Sequence, residues 1–381
     1  MRFLVVLVCY FLCLVSCKQE KENKVIDSGT QTEGIVEHIK YAKGFTVKSF
    51  EGYKEIKVIA PWPGSVKSFN YLLVKKGTPV PEHEANTVII QVPVETVIPM
   101  STTNIPVLEY LEADKAIVGF PNTKFISSEK TRKRIDEGDI TDLGNDLELN
   151  MELLLELKPE LVIGFSVNGN NKSLDRIEKF GIPVVLDGAW TEQHPLGRAE
   201  WIKFIAAFFD KDEEAKTLFK TIETNYLKAK EMAATVANKP VVLSGSMFKE
   251  VWNIPGGKSF VAKYLEDANT DYLWKLNENN GSLQLNFESV LEKAQNAELW
   301  IGAGNFDSKS QMTEKHKGYA FFKAFKNNNI YTYTKKKGAE GGLYYYELGP
   351  MRPDLILKDI IKIAHPELLT DYETYFFKRL E

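Results

Sequence analysis

Beyond its first seventeen residues the chain has no cysteine, because all three, Cys9, Cys13 and Cys17, lie inside that stretch. Disulfide frameworks, zinc-thiolate sites, iron–sulfur clusters and cysteine nucleophiles are thereby excluded from the rest. Histidine is scarce as well: His38, His83, His194, His316 and His365 are scattered through 381 residues. Positive charge is not in excess either, with 48 Lys and Arg against 52 Asp and Glu and a net charge of -4. No field is available to hold nucleic acid. The common catalytic signatures are missing too. Gly257-Lys258-Ser259 looks like the tail of a phosphate loop, but Trp252 stands where its first Gly is required. Gly302-Ala303-Gly304 begins a dinucleotide fingerprint whose third Gly is replaced by Asp307. Neither a Gly-x-Ser-x-Gly elbow nor a His-Glu-x-x-His pair occurs. What the chain does have is 44% apolar and 12% aromatic residues, enough for a sizeable core in one to three domains.

Met1-Arg2 and the mostly apolar run Phe3 to Val15 have the charge and length of a secretory signal and are short for a bilayer span. The run closes in Leu14-Val15-Ser16-Cys17, which resembles the lipobox of bacterial lipoproteins. That resemblance implies a signal peptide at 1–16 and acylation of Cys17. Lys18 to Glu33 is polar and nearly free of large apolar groups, too poor in burial to repay ordering entropy. A flexible tether over 17–40 is expected, carrying a soluble body on a lipid anchor whose membrane leaflet stays open.

From about Tyr41, short β-branched runs alternate with amphipathic segments, the pattern of α/β layers with mostly parallel strands. Strands are expected at 56–60, 88–92, 116–119, 161–165, 183–186, 240–244, 299–303 and 330–333. Two stretches repeat one another. Asn150-Met151-Glu152 and Asn286-Phe287-Glu288 each open an apolar helical turn that leads to a buried strand closing in Gly164 or Gly302. Asn is a good N-cap, and a Glu in the first turn complements the helix dipole. Recurrence of the whole unit argues for two similar α/β lobes. Between them runs the longest helical pattern, about 212–236, with Ala215, Leu218, Phe219, Ile222, Tyr226, Ala229 and Ala233 on one stripe. A preceding helix is expected over 197–209. At 1.5 Å per residue the long helix spans roughly 37 Å, enough to join two lobes as a stiff connector.

In order and spacing, the segments Glu95 to Thr103, Leu108 to Gly119, Asn150 to Ile163, Trp252 to Ser259, Arg352 to Asp359 and Ala364 to Glu367 resemble the substrate-binding lipoproteins of ABC importers. The likeness is to the periplasmic-binding-protein class that carries iron–siderophore complexes, haem and cobalamin, with Glu160 standing where the family has Asp. The resemblance implies an α/β class III fold of two Rossmann-like lobes with mostly parallel sheets. The N-terminal lobe would occupy 41–195 with an extension of unassigned role over 41–91, the connecting helices 196–238 and the C-terminal lobe 239–381. It implies a monomeric, non-catalytic carrier in the periplasm, lipid-anchored, with the cell surface also open. No cofactor and no direct metal ligand are expected. The implied partners are an ABC permease and its ATPase, a membrane through the lipid anchor, and an iron–siderophore, haem or corrinoid ligand. Scarce histidine weighs against the related zinc and manganese carriers. The alternatives are a surface lipoprotein passing ligand to an outer-membrane receptor and a secreted hydrolase.

Ligands of open α/β sheets sit beyond the carboxyl ends of the strands. The facing loops then offer Thr102, Thr103, Phe120 and Trp190 on one wall, and Trp252, Lys258, Phe306, Tyr345 and Arg352 on the other. Aromatic faces with a few cations suit a large, flat or anionic chelate, and Arg352 can grip carboxylate or chelate oxygens bidentately. By the same resemblance Glu152 and Glu288 are the residues that dock on a permease. A helical connector implies modest lobe closure.

Overall fold

The computed structural model describes Glu33 to Glu381 except Leu147, so the expected signal peptide, Cys17 and most of the tether lie outside the described residues. Regular structure begins before the expected boundary at Tyr41. Strand β1 (Ile35–Val36) pairs with β2 (Phe45–Phe50), and β3 (Tyr53–Ile59), β4 (Ser68–Lys75) and β5 (Val88–Val92) complete a five-stranded sheet in sequence order. Its first four strands are antiparallel, while β5 runs parallel to β4. In β3 the period of two is plain, with Ile56 and Val58 buried and Glu55 and Lys57 exposed. The segment read as an unassigned extension is therefore a sheet with its own buried face.

The next region runs β6 (Val97–Pro99), α1 (Asn104–Tyr110), β7 (Gly119–Phe120), α2 (Glu129–Asp136), β8 (Thr141–Asp142), β9 (Gly144–Asn145), β10 (Glu148–Leu149), α3 (Met151–Leu157), β11 (Leu161–Gly164), α4 (Lys172–Lys179) and β12 (Val184–Leu186). Parallel strands in the order β12-β11-β6 form its central sheet. Every residue of these three strands is buried, as a parallel sheet covered on both faces requires. The strand expected at 116–119 is shorter than its β-branched run suggested. A 3-10 turn takes Asp114–Ala116, Ile117 makes a single bridge to Val97, and only Gly119–Phe120 pair as a strand.

The connector also departs from expectation. Instead of one helix over 197–209 there are two, α5 (Pro195–Glu200) and α6 (Ile202–Ala207), broken at Trp201. Trp201 turns inward, donating its indole N–H to Glu192 at 3.1 Å and packing on Phe45 with ring centroids 4.7 Å apart. The long helix α7 (Asp212–Ala234) is present with its stripe buried: Ala215, Phe219, Ile222, Tyr226, Ala229 and Ala233.

The last region contains β13 (Val241–Ser244), β14 (Ser246–Phe248), β15 (Val251–Pro255), α8 (Phe260–Asp267), β16 (Asp271–Tyr272), β17 (Ser282–Leu285), α9 (Phe287–Ala294), β18 (Leu299–Ile301), α10 (Lys309–Lys315), α11 (Lys323–Lys326), β19 (Ile330–Thr332), α12 (Tyr344–Glu347), α13 (Pro353–Ala364) and β20 (Lys378–Arg379). Its main sheet has the order β16-β13-β18-β19-β20, parallel except for β20. An antiparallel meander, β14-β15-β17, stands beside it. Helix α13 packs along α7. Two sheet-containing α/β regions are thus joined by a long helix, and one apolar core runs from the N-terminal sheet through the connector into the last region. No described helix is long and apolar enough to cross a membrane.

Candidate functional site

Strands β6 and β11 lie side by side and parallel, so the loops leaving their carboxyl ends, Met100–Thr103 and Phe165–Asn171, start from one edge. They line a groove with one cavity of about 370 Å³ and an adjoining one of about 260 Å³ that shares Met100, Asp146 and Phe165. Thr102 and Phe120 line the smaller cavity, Phe120 being buried. Thr103 sits at the start of α1 and bonds Ser101 hydroxyl to hydroxyl at 2.8 Å. Met100, Phe165, Asn168 and Asn170 were not singled out in the sequence. Their only signal is position: they follow directly on buried parallel strands.

The groove's outer loop is held from behind. Ser166 Oγ accepts the Gly169 N–H at 3.0 Å. Gly169 takes φ +80°, and a Cβ there would come within 3.0 Å of the Trp62 indole, so glycine is needed for both conformation and space. Trp62 belongs to the Pro61-Trp62-Pro63-Gly64 turn of the N-terminal sheet and is buried with Ile98, Met100, Leu174 and Leu186. Trp190, half-buried, packs on the same cluster, its indole N–H without a partner.

The N-terminal sheet is fixed to the connector by carboxylates. Glu200, fully buried, accepts the backbone N–H groups of Lys40, Tyr41 and Ala42 at 2.6–3.1 Å and the Lys203 ammonium at 2.7 Å. Glu192 accepts those of Lys43 and Gly44 at 2.8 and 2.9 Å. Glu223 accepts from Lys40 Nζ, the Tyr41 hydroxyl and Lys220 Nζ. Burial alone would raise the Glu223 carboxyl, but these donors outweigh it and hold it down at about 2.

Across the junction between the two regions, Glu347 of α12 accepts the N–H groups of Ser127 and Ser128 at 2.6 and 2.8 Å, at the start of α2. Burial lifts its carboxyl to about 7, with these two bonds opposing. Gly342 comes so close that a Cβ would lie 2.7 Å from the Phe125 carbonyl oxygen. A cavity of about 280 Å³ lies here, lined by Glu109, Tyr110, Lys130 and Tyr344 among others.

On the far wall, Trp252 is fully buried in an aromatic cluster with Trp300, Tyr319 and Phe322, because its side of β15 packs on the core. Lys258 is paired with Glu278 on the exposed 275–281 loop. The fork of Arg352 is occupied: Nε and Nη2 each donate to Asp354 at 2.9 Å. Burial works against the charge of Arg352, but Asp354 and Tyr110 outweigh it and raise its pKa. Phe306 is half-buried, edge-on to Tyr319 at 6.2 Å. Tyr345 stacks on Tyr333 with centroids 4.6 Å apart, just beyond the carboxyl end of β19. Among the described residues no group of three or more His, Cys, Asp or Glu could hold a metal ion.

Residues 97–337, from β6 to beyond β19, match the family model for periplasmic binding proteins. The chain belongs to that family. It is a binding protein and not an enzyme. An uncharacterized lipoprotein of Methanocaldococcus jannaschii is 28% identical over 95% of this chain and 91% of its own length. Among solved structures, a possible iron-binding periplasmic protein of Staphylococcus epidermidis superposes with TM-score 0.56 and 22% identity, covering 72% of this chain and 99% of its own. A periplasmic haem-binding protein of Pseudomonas aeruginosa gives TM-score 0.57 at 14% identity, covering 76% and 98%. The molybdate-binding protein of a Haemophilus influenzae ABC transporter gives 0.55 at 17%, covering 74% and 89%. At these identities the solved structures establish the shared fold. The family match begins at β6, so the N-terminal sheet stands outside it.

Proposed function

We propose that this periplasmic binding protein serves an ABC importer, capturing a metal chelate between its two α/β regions and delivering it to the permease. The observation that carries this reading is the open groove at the carboxyl ends of β6 and β11, with Tyr345, Phe306 and Trp190 offering aromatic surface around the junction. An iron–siderophore complex, haem or a corrinoid matches that scale and chemistry. The regions 41–195 and 239–381 act as two lobes about α7 in the manner of class III carriers. Glu152 and Glu288, both exposed in the first turns of α3 and α9, meet positive pockets of the permease, since electrostatic pairing sets register and on-rate. Acylated Cys17 holds the carrier to a membrane outside the cytoplasm. The lipoprotein relative of Methanocaldococcus jannaschii supports that part. Purification from the native host, followed by absorption spectroscopy and mass spectrometry of the bound molecule, tests the proposal. A coloured, metal-containing cargo is expected, and a small neutral solute would overturn it.

A further inference from the structure

The repeated helices α3 and α9 are built alike and surrounded unlike. Each is capped by an Asn, Asn150 or Asn286, and each has an exposed Glu in its first turn, Glu152 or Glu288. Around α3 the exposed charge is acidic. Glu148 lies in β10 just before the helix, and Glu156 follows Glu152 by one turn. Neither makes an ion pair among the described residues, and Lys158 is the one basic residue between positions 141 and 160.

Around α9 it is basic. Residues 316–323 are strapped along this helix. The His316 ring lies against that of Phe287 with centroids 4.3 Å apart, and a Cβ on Gly318 would come within 2.4 Å of the Phe287 ring. At the other end the Lys323 N–H donates to the Gln295 carbonyl at 2.7 Å. Phe287 directly precedes Glu288, and Gln295 follows the last residue of α9. The strap and its flanks expose Lys315, Lys317, Lys323 and Lys326, none of them in an ion pair among the described residues. Glu314 is the one acid between positions 308 and 338. Lysines elsewhere in the chain find carboxylates: Lys76 pairs with Glu95 and Glu160, and Lys216 with Glu37 and Glu213. Like charges left unpaired along one edge repel one another. Phe321, 60% exposed, stands among them, an aromatic side chain inside a charged rim, as at a contact surface.

We infer that α9 and its lysine strap meet a permease surface carrying carboxylates, while α3 meets one that is basic, so that the permease presents two unlike halves and the carrier seats on it in one orientation. The inference rests on the proposed docking role of Glu152 and Glu288 and adds the chemistry of the partner. Exchanging the two lobes on such a permease would set the acids of α3 against acids and the four lysines against bases, and like charges brought together at an interface oppose that pairing. On a permease with two identical faces, one lobe would always meet the wrong sign.

The test uses the mature full chain in its native host, with a photo-crosslinking amino acid at position 156 or at position 317 and mass spectrometry of the membrane peptides captured. Position 156 is expected to capture a peptide rich in Arg and Lys, and position 317 one rich in Asp and Glu, from different polypeptides or from different halves of a fused one. Reversal of the four lysines, K315E with K317E, K323E and K326E, should lower permease capture at position 156 by about tenfold or more while the melting temperature is unchanged. The four Lys→Arg changes should leave capture intact. The same peptide captured from both positions overturns the inference, as does undiminished capture by the reversed variant. In either case, loss of capture on Glu152→Arg with Glu288→Arg keeps the docking role standing. Capture at position 156 alone, with phosphatidylglycerol vesicles binding wild type but not the reversed variant, assigns the lysines to an anionic membrane and overturns the inference alone. Capture of no permease from either position overturns both.

Discussion

Arg352 reaches the hydroxyl of Tyr110 at 3.0 Å while two of its other nitrogens grip Asp354, so one guanidinium ties the start of α13 to the end of α1. Tyr110 follows a strand of one sheet and Arg352 leads into the helix that packs on α7. R352A would leave the fully buried Asp354 carboxylate unpaired, a loss of about 3–5 kcal/mol. Y110F removes only the crossing bond and should cost about 1 kcal/mol. Urea unfolding of the two variants measures the contrast, and equal losses would show that the ion pair contributes little.

The second link across the junction, Glu347 with Ser127 and Ser128, should respond to pH. With its carboxyl raised from 4.5 to about 7, the folded state holds a proton that the unfolded state releases between those values. Its contribution is complete below the unfolded value and is lost as pH rises through about 7. Wild type should therefore lose stability relative to E347Q between about pH 5 and about pH 8. A constant difference, read from chemical denaturation at both pH values, would contradict the raised pKa.

Glu223 carries the opposite sign. Its carboxyl is held at about 2, below the ordinary 4.5, so its contribution is present above the unfolded value and is lost as pH falls toward 2. E223Q should lose less stability than wild type on acidification, as followed by circular dichroism. E200A, which strips three backbone N–H groups of their acceptor, should cost about 3–5 kcal/mol at neutral pH.

Trp62 couples the N-terminal sheet to the groove through Gly169. W62A should cost about 3–5 kcal/mol as a large buried truncation. It should also weaken cargo binding by releasing the Phe165–Asn171 loop. G169A should reproduce the binding loss through strain at φ +80°. Titration of both variants with the cargo identified from the native host checks this, and unaltered affinity would confine Trp62 to stability.

Reversal of the two carboxylates proposed to meet the permease, Glu152→Arg with Glu288→Arg, should abolish uptake in cells and leave cargo affinity in solution intact. Both side chains are exposed, so the fold should tolerate the change. Normal uptake by the double variant would remove these residues from the permease interface.

The two repeated units were legible because their signals are local. Asn150 accepts the Leu153 N–H at 3.1 Å and Asn286 accepts that of Ser289 at 2.8 Å, the capping geometry that an Asn before an apolar turn encodes. Parallel strands likewise appear as unbroken apolar runs. The face taken by Trp252 was not legible, because β15 is buried against a cluster assembled from distant segments. The commitment of Arg352 to Asp354 lay two residues away in sequence, yet whether the fork closes on a neighbour or opens to a ligand is decided by packing. Glu192 and Glu200 had no readable signature at all: most of their donors are main-chain N–H groups, which every sequence possesses. The break at Trp201 has the same origin, in a partner more than a hundred residues upstream, Phe45.

The carboxylates on the connector bear on descent as well as on folding. A chain shortened to begin at Val97, where the family resemblance starts, would leave Glu192, Glu200 and Glu223 without most of their donors and uncover the Trp201 and Phe204 rings that Phe45 now covers. Sheet and connector should therefore be inherited as a unit. Relatives that dispense with the five strands should also have given up the acids at 192, 200 and 223, and those that keep one should keep the other.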